Sequence, residues 1–256
     1  MKIILLTQAA PAYLAPFLDD VLGGLAQTEH QVVAMVVLPP FFKASRWAEL
    51  RDRYQFYGGV AFCQMLLYIL FNKLRSYLNP RYGVVQVLQK HGIKRQVVAK
   101  VNHPDFIQYL QNEGIDLLVS VAFPKILKAP LLATPPKGCI NYHTGLLPRY
   151  RGRMPLFWAL YHDEPEVGIT VHEMDAGIDS GAIILQARLP IHPNDSLHDL
   201  YLKTTQQGAQ LLVAAIQKIG RGDAERLPND ASQATYFSFP SPEQAREFRQ
   251  TGKRFF

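Results

Sequence analysis

Three side chains in this sequence carry the groups that proton transfer and anion stabilisation call for: the Asn141 amide, the His143 imidazole and the Asp179 carboxylate. Asn141 and His143 stand two apart in the run Cys139-Ile140-Asn141-Tyr142-His143, which reads as a strand, so both project from one face. The run ends at Gly145-Leu146-Leu147-Pro148. Asp175 and Asp179 belong to Met174-Asp175-Ala176-Gly177-Ile178-Asp179-Ser180-Gly181, a glycine-bearing loop able to set a carboxylate against the imidazole. An imidazole titrates near neutral pH, an amide donates hydrogen bonds and a carboxylate orients both. The same residues also suit a purely structural role, since polar groups at strand ends are commonly hydrogen-bonded and Asp-Gly loops are commonly turns. Spacing alone leaves both roles open.

Other titratable groups carry weaker signals. His162 and His172 are expected to be surface or packing histidines, and neither makes metal-ligand spacing with a Cys or a second His, so no metal is expected. Arg149, Arg151 and Arg153 recur at every second position beside the candidate triad, and they either bind an anionic acceptor or face solvent. Cys63 and Cys139 lie in no CxxC pair and no secretory leader opens the chain, which suits a reducing, cytoplasmic setting.

Positioning these residues requires a sheet. Ile3–Leu6 reads as a strand, Tyr13–Ala26 as an amphipathic helix and Val32–Val37 as a second strand, a βαβ order. The segment 41–78 reads as one or two inserted helices. Val97-Val98-Ala99 is expected as a short strand, His103-Pro104-Asp105 opens a helix, and Asp116–Val121 is an apolar run suited to a buried parallel strand. After the Asn141–His143 strand, Ile169–Met174 and Ala182–Pro190 read as paired strands. Ser196-Leu197-His198-Asp199 is a capping box opening a helix to Ile219. Ser241-Pro242 starts and Gly252 stops a small helix near the basic, aromatic end. This order implies an open, mainly parallel α/β sheet with helices on both faces, where ligands sit outside the carboxyl ends of strands. No GxGxxG follows the first strand, which argues against a dinucleotide-dependent dehydrogenase.

Length and composition bound the reading. The 256 residues, 48% hydrophobic and 19% charged, suffice for one large folded domain. A net charge of +6 favours an anionic partner, but the basic residues are spread along the chain and form no nucleic-acid signature. The longest apolar stretch, Ala61–Phe71, falls well short of the roughly 20 residues that cross a bilayer.

The residues Asn141-Tyr142-His143, Leu146-Leu147-Pro148 and Asp179-Ser180-Gly181 resemble the motifs of the formyltransferase family that uses 10-formyltetrahydrofolate. That family includes methionyl-tRNA formyltransferase, glycinamide ribonucleotide transformylase and the sugar N-formyltransferases. The 38 positions from Asn141 to Asp179 match its pattern, and Arg151-Gly152 followed by Pro155 is similar to the segment after its Leu-Leu-Pro. The resemblance implies a Rossmann-like formyltransferase fold over 1–227, with the insertion at about 41–78, and a short extension over 228–256. It implies that Asn141, His143 and Asp179 are catalytic, with Asp179 raising the pKa of His143 and favouring its charged form. It further implies a folate pocket built by Ala122, Phe123, Pro124, Lys125, Ile126 and Leu127 together with Asp175, Ala176, Gly177 and Ile178. Thr144-Gly145 departs from the family, which has Ser directly before Leu-Leu-Pro.

The carboxyl-terminal barrel of the tRNA enzymes has no counterpart in these residues. A small amine acceptor such as a nucleotide-linked amino sugar is therefore expected ahead of methionyl-tRNA, with hydrolysis of formyltetrahydrofolate as an alternative. From a different class, a nonenzymatic nucleic-acid or membrane-surface binding protein would account for the charge and for residues 56–78. There Phe62, Met65, Leu66, Ile69 and Leu70 form an apolar stripe at helical spacing, expected to be core. Leu67, Tyr68 and Phe71 are apolar as well, with Lys73 and Arg75 following, so an exposed face for a homodimer or an anionic membrane surface is the alternative.

Overall fold

Among the described residues seven strands form the central sheet, in the order Lys94–Gln96, Gln31–Leu38, Lys2–Gln8, Leu117–Val121, Cys139–His143, Glu166–Glu173 and Ile183–Pro190. The computed structural model describes residues 1–9, 13–39 and 46–256, so residues 40–45 at the start of the expected insertion lie outside the described residues. The strands are β1 (Lys2–Gln8), β2 (Gln31–Leu38), β3 (Lys94–Gln96), β4 (Leu117–Val121), β5 (Cys139–His143), β7 (Glu166–Glu173) and β8 (Ile183–Pro190). A separate two-stranded parallel ribbon joins β6 (Arg151–Gly152) to β9 (Tyr236–Phe237). The helices are α1 (Leu14–Leu25), α2 (Arg46–Tyr57), α3 (Gly59–Leu78), α4 (Val84–Lys90), α5 (Pro104–Glu113), α6 (Ala129–Leu132), α7 (Pro155–Tyr161), α8 (Leu197–Arg221) and α9 (Pro242–Gln250).

Pairings from β3 through β5 are parallel, and β5–β7 and β7–β8 are antiparallel, which gives the open, mainly parallel sheet expected. The apolar runs of β1 and β4 are buried on both faces because helices cover both, as parallel sheets require. On one face α1 and α8 pack on Ile3, Leu5, Val119 and Ile140; on the other, α5 packs on Ile4, Leu6, Leu118 and Cys139. A third cluster gathers α7 with Phe56, Ala245, Phe248 and Phe255, so side chains of residues 228–256 are buried in the core. The capping box expected at Ser196 is formed, and the helix that starts at Ser241-Pro242 has one as well.

Two expectations are corrected. The third strand is Lys94–Gln96 and not Val97-Val98-Ala99: β3 is the edge strand, where polar side chains are favoured, and Val97 is turned out to solvent. Nor is the stripe on residues 62–70 core, since Met65 alone of Phe62, Met65, Leu66, Ile69 and Leu70 is buried. The helix α3 leans on α2 and on the 3-10 turn Pro80–Tyr82, which cover only the side bearing Met65 and Asn72. No described helix is long and apolar enough to cross a membrane.

Candidate active site

Alternation along β5 sends Ile140 and Tyr142 toward α1 and α8 and turns Asn141 and His143, with Cys139, to the opposite face. That is also the face on which Leu127 is buried and Phe123 packs. After β7 the chain returns across this face, and Asp179, in the left-handed region at φ 50°, points its carboxylate at both β5 side chains. An aspartate accepts that conformation more readily than most residues. The triad expected from the sequence is therefore brought together, with Asn141 Nδ2 3.4 Å from Asp179 Oδ1 and His143 Nδ1 3.6 Å from Asp179 Oδ2.

Backbone groups fix the geometry. The Gly152 N–H donates to Asp179 Oδ2 at 2.8 Å, and the Asn229 amide donates to the carbonyls of Asp179 and Gly181, each at 2.9 Å. Arg151 in turn donates to Asn229 Oδ1 at 2.7 Å. Gly152 has φ 97° and a Cβ there would lie 2.2 Å from the Phe237 carbonyl, so only glycine fits the β6–β9 ribbon beneath the carboxylate.

His143 is 6% exposed and its Nε2 lies 2.8 Å from the Tyr150 carbonyl. A carbonyl accepts only, so Nε2 carries the proton and Nδ1, on the Asp179 side, is the basic nitrogen. Gly145 makes this contact feasible: a Cβ there would sit 2.5 Å from His143 Nε2 and 2.9 Å from the Tyr150 carbonyl.

The expected rise in the His143 pKa is corrected. Burial pushes it below its usual value, outweighing the pull of Asp179 in the other direction. Burial also opposes ionisation of Asp179. The facing His172 and His143 imidazoles and the Gly152 N–H together nevertheless carry its pKa down to about 2. At neutral pH the site holds a neutral imidazole beside a carboxylate.

His172, expected to be a packing residue, is part of this cluster. The antiparallel register sets it opposite Asn141, and its Nε2 is 3.2 Å from Asn141 Nδ2 and 3.4 Å from Asp179 Oδ1. Its Nδ1 donates to the Glu173 carbonyl at 2.7 Å, so in the neutral ring Nε2 accepts from Asn141. The polar pair Thr170 and His172 in an otherwise apolar buried strand is the sequence signal that marks it. Both Asn141 N–H bonds are thereby directed inside the cluster. The 3.4 Å contact to Asp179 is long and weak, leaving that hydrogen available to an incoming oxygen.

The remaining candidates separate. Residues 122–127 follow β4, with Ala122 at φ 52°, and Asn102 clamps the loop by donating to the Ile126 carbonyl and accepting from the Lys128 N–H. Asp175 Oδ1 accepts from the Gly177 N–H and the Ser180 hydroxyl, closing the turn through Ala176 and Ile178. The three arginines do not share one target. Arg149 pairs with Glu164, Arg151 holds Asn229, and Arg153 lies over the Phe239 ring at 5.1 Å. His162 stacks on Trp158 away from the triad. Among the described residues no group of His, Cys, Asp and Glu is arranged to hold a metal ion.

Residues 75–216, more than half of the chain and including all of this cluster except Asn229, match the model of the formyl transferase family. The chain belongs to the formyl transferase family. A methionyl-tRNA formyltransferase of Synechococcus sp. is 41% identical over 149 residues, covering 58% of this chain and 46% of that protein. That of Kosmotoga olearia is 39% identical over 153 residues, covering 60% and 49%. The chain spans about half the length of these relatives. In fold it is similar to glycinamide ribonucleotide transformylase 1 from Symbiobacterium toebii, with a TM-score of 0.62, 21% identity and coverage of 87% and 88% of the two chains. It is also similar to the N-formyltransferase of Helicobacter canadensis, solved in complex with folinic acid and dTDP-3-aminofucose, with a TM-score of 0.62, 19% identity and coverage of 97% and 80%. These likenesses agree with the formyl transferase fold derived above.

Proposed function

We propose that the chain transfers a formyl group from 10-formyltetrahydrofolate to the amino group of an acceptor, in the cytoplasm, with methionyl-tRNA as the first acceptor. The observation that carries formyl transfer is the Asn141–His143–Asp179 cluster inside the segment matching the formyl transferase family. The acceptor follows the proteins 39–41% identical across that segment, which are named methionyl-tRNA formyltransferases. The net charge of +6 is compatible with a polyanion. A nucleotide-linked amino sugar, expected first from the sequence, becomes the second reading, supported by the fold shared with the Helicobacter canadensis enzyme.

The residues present fit the donor. The clamped loop 122–127 and the turn 175–178 flank the triad with backbone groups for the pteridine ring, and the weakly held Asn141 N–H suits the formyl oxygen. As the acceptor nitrogen attacks the formyl carbon, negative charge grows on that oxygen and Asn141 donates to it. His143 Nδ1 takes the proton from the nitrogen and returns it to the folate nitrogen as the carbon–nitrogen bond breaks. Asp179 stabilises the imidazolium formed in between. Arg153, exposed to solvent, is assigned to acceptor phosphates in this reading, whereas Arg151 acts through Asn229 to hold the Asp179 loop.

Supplying labelled formyl donor with methionyl-tRNA, a dTDP-amino sugar or no acceptor tests the assignment. Label in methionyl-tRNA is expected. Label only in the sugar favours the second reading, and formate released equally without acceptor identifies a hydrolase.

A further inference from the structure

We propose that two copies of this chain associate about a two-fold axis by packing α3 antiparallel against α3. The exposed face of α3 carries Val60, Cys63, Leu67, Leu70, Leu74 and Tyr77, at alternating steps of three and four residues over nearly three heptads. That spacing is the seam by which one helix packs on another. Every one of these side chains faces solvent within the single chain; Val60 is 78%, Leu67 65% and Tyr77 74% exposed. The helix α2 presents Trp47, Leu50 and Tyr54 at the same spacing, and Tyr54 meets Phe62 edge-on, so the two stripes adjoin.

The seam is self-complementary. Turned end for end about its midpoint, between Tyr68 and Ile69, it brings Val60 level with Tyr77, Cys63 with Leu74 and Leu67 with Leu70 of the second copy. Lys73 comes level with Gln64 of the second copy, so no cation meets a cation. Eleven large apolar side chains between 47 and 78 are 38–90% exposed. At roughly 100 Å² apiece the patch is on the order of 1,000 Å², above the roughly 300–600 Å² usual for a monomer and near the roughly 800 Å² per partner of a stable interface.

A lipid surface suits this face less well. Helices that lie on anionic membranes carry several cations around the apolar face. Here α3 has Lys73 and Arg75 alone, and the Arg75 guanidinium is held 3.7 Å over the Tyr82 ring. On the adjoining α2, Arg53 is paired with Glu49 and Arg51 with Asp52, so these cations have carboxylate partners within the helix.

Sedimentation velocity and register-specific cross-linking test the inference. Wild type is expected at twice the 28.9 kDa chain mass, and Leu67→Glu with Leu74→Glu at the single-chain mass with an unchanged thermal midpoint. In a Cys63→Ser background, Leu70→Cys places its two copies about 4.5 Å apart along the axis and Leu78→Cys about 28 Å apart. A short bis-maleimide should therefore join the first pair and not the second. This arm stands even where the double glutamate variant fails to fold. A single-chain mass for wild type, equal cross-linking at both positions, or flotation of a single-chain species with phosphatidylserine vesicles overturns the proposal.

Discussion

The Tyr150 carbonyl lies 2.8 Å from Nε2 of His143 and thereby decides which nitrogen of that ring is basic. The proton on Nε2 is committed to the carbonyl, and Nδ1, 3.6 Å from the Asp179 carboxylate, is left to receive one. Burial holds the imidazole neutral, so the base is ready at neutral pH.

The pH profile follows from that direction. A histidine with its pKa depressed below the ordinary 6.5 stays an active base until the pH falls beneath that value. The acid limb of kcat/KM is expected below pH 6.5. An acid limb above pH 7, as a carboxylate-raised imidazole would give, argues against a buried neutral base.

Gly145→Ala should displace His143 or the Tyr150 carbonyl, because its methyl group would lie 2.5 Å from one and 2.9 Å from the other. Overpacking of this kind costs about 1–3 kcal/mol. A lower thermal midpoint with a fall in kcat of about tenfold or more is expected, since even a small misplacement of a reacting group is costly. Wild-type values for both would mean that the ring is not held as described.

Stability should carry the signature of Asp179. Its folded pKa of about 2 lies below the unfolded 3.8, so the stabilisation is complete above pH 3.8 and is lost as pH falls through the folded value. The shift corresponds to about 2 kcal/mol. Unfolding free energy measured from about pH 5 to about pH 2 should fall more steeply for wild type than for Asp179→Asn. Parallel curves would contradict the assignment.

His172 acts on the site through Asn141 and Asp179. His172→Leu removes the acceptor for one Asn141 N–H, leaving the amide free to turn. A loss in kcat of about tenfold is expected, with little change in the KM for the acceptor. Should KM alone rise, His172 would be a contact for the acceptor.

Much of this arrangement was legible in the sequence because it is local. Alternation put Asn141 and His143 on one face of a strand, and the capping box at Ser196 and the Ser241-Pro242 start located two helices. Asp179 was legible through family motifs, since nothing in the loop's composition says how far it folds back. His172 escaped because its position depends on the Asn141↔His172 register between strands, which local spacing does not carry. Asn229 reaches the Asp179 loop from 50 positions away for the same reason. The periodicity of α3 was visible, but an apolar stripe does not say what covers it.

The most direct measurement is the rate at which labelled formyl passes from 10-formyltetrahydrofolate to methionyl-tRNA in wild type, His143→Ala and Asn141→Asp. Wild type should transfer label, and His143→Ala should be slower by at least about a hundredfold, the scale for losing an acid-base group. Asn141→Asp should be inactive despite its similar volume, because a second carboxylate would repel the charge growing on the formyl oxygen. Variants that both fold and turn over within a few fold of wild type would contradict a catalytic Asn141–His143–Asp179 cluster.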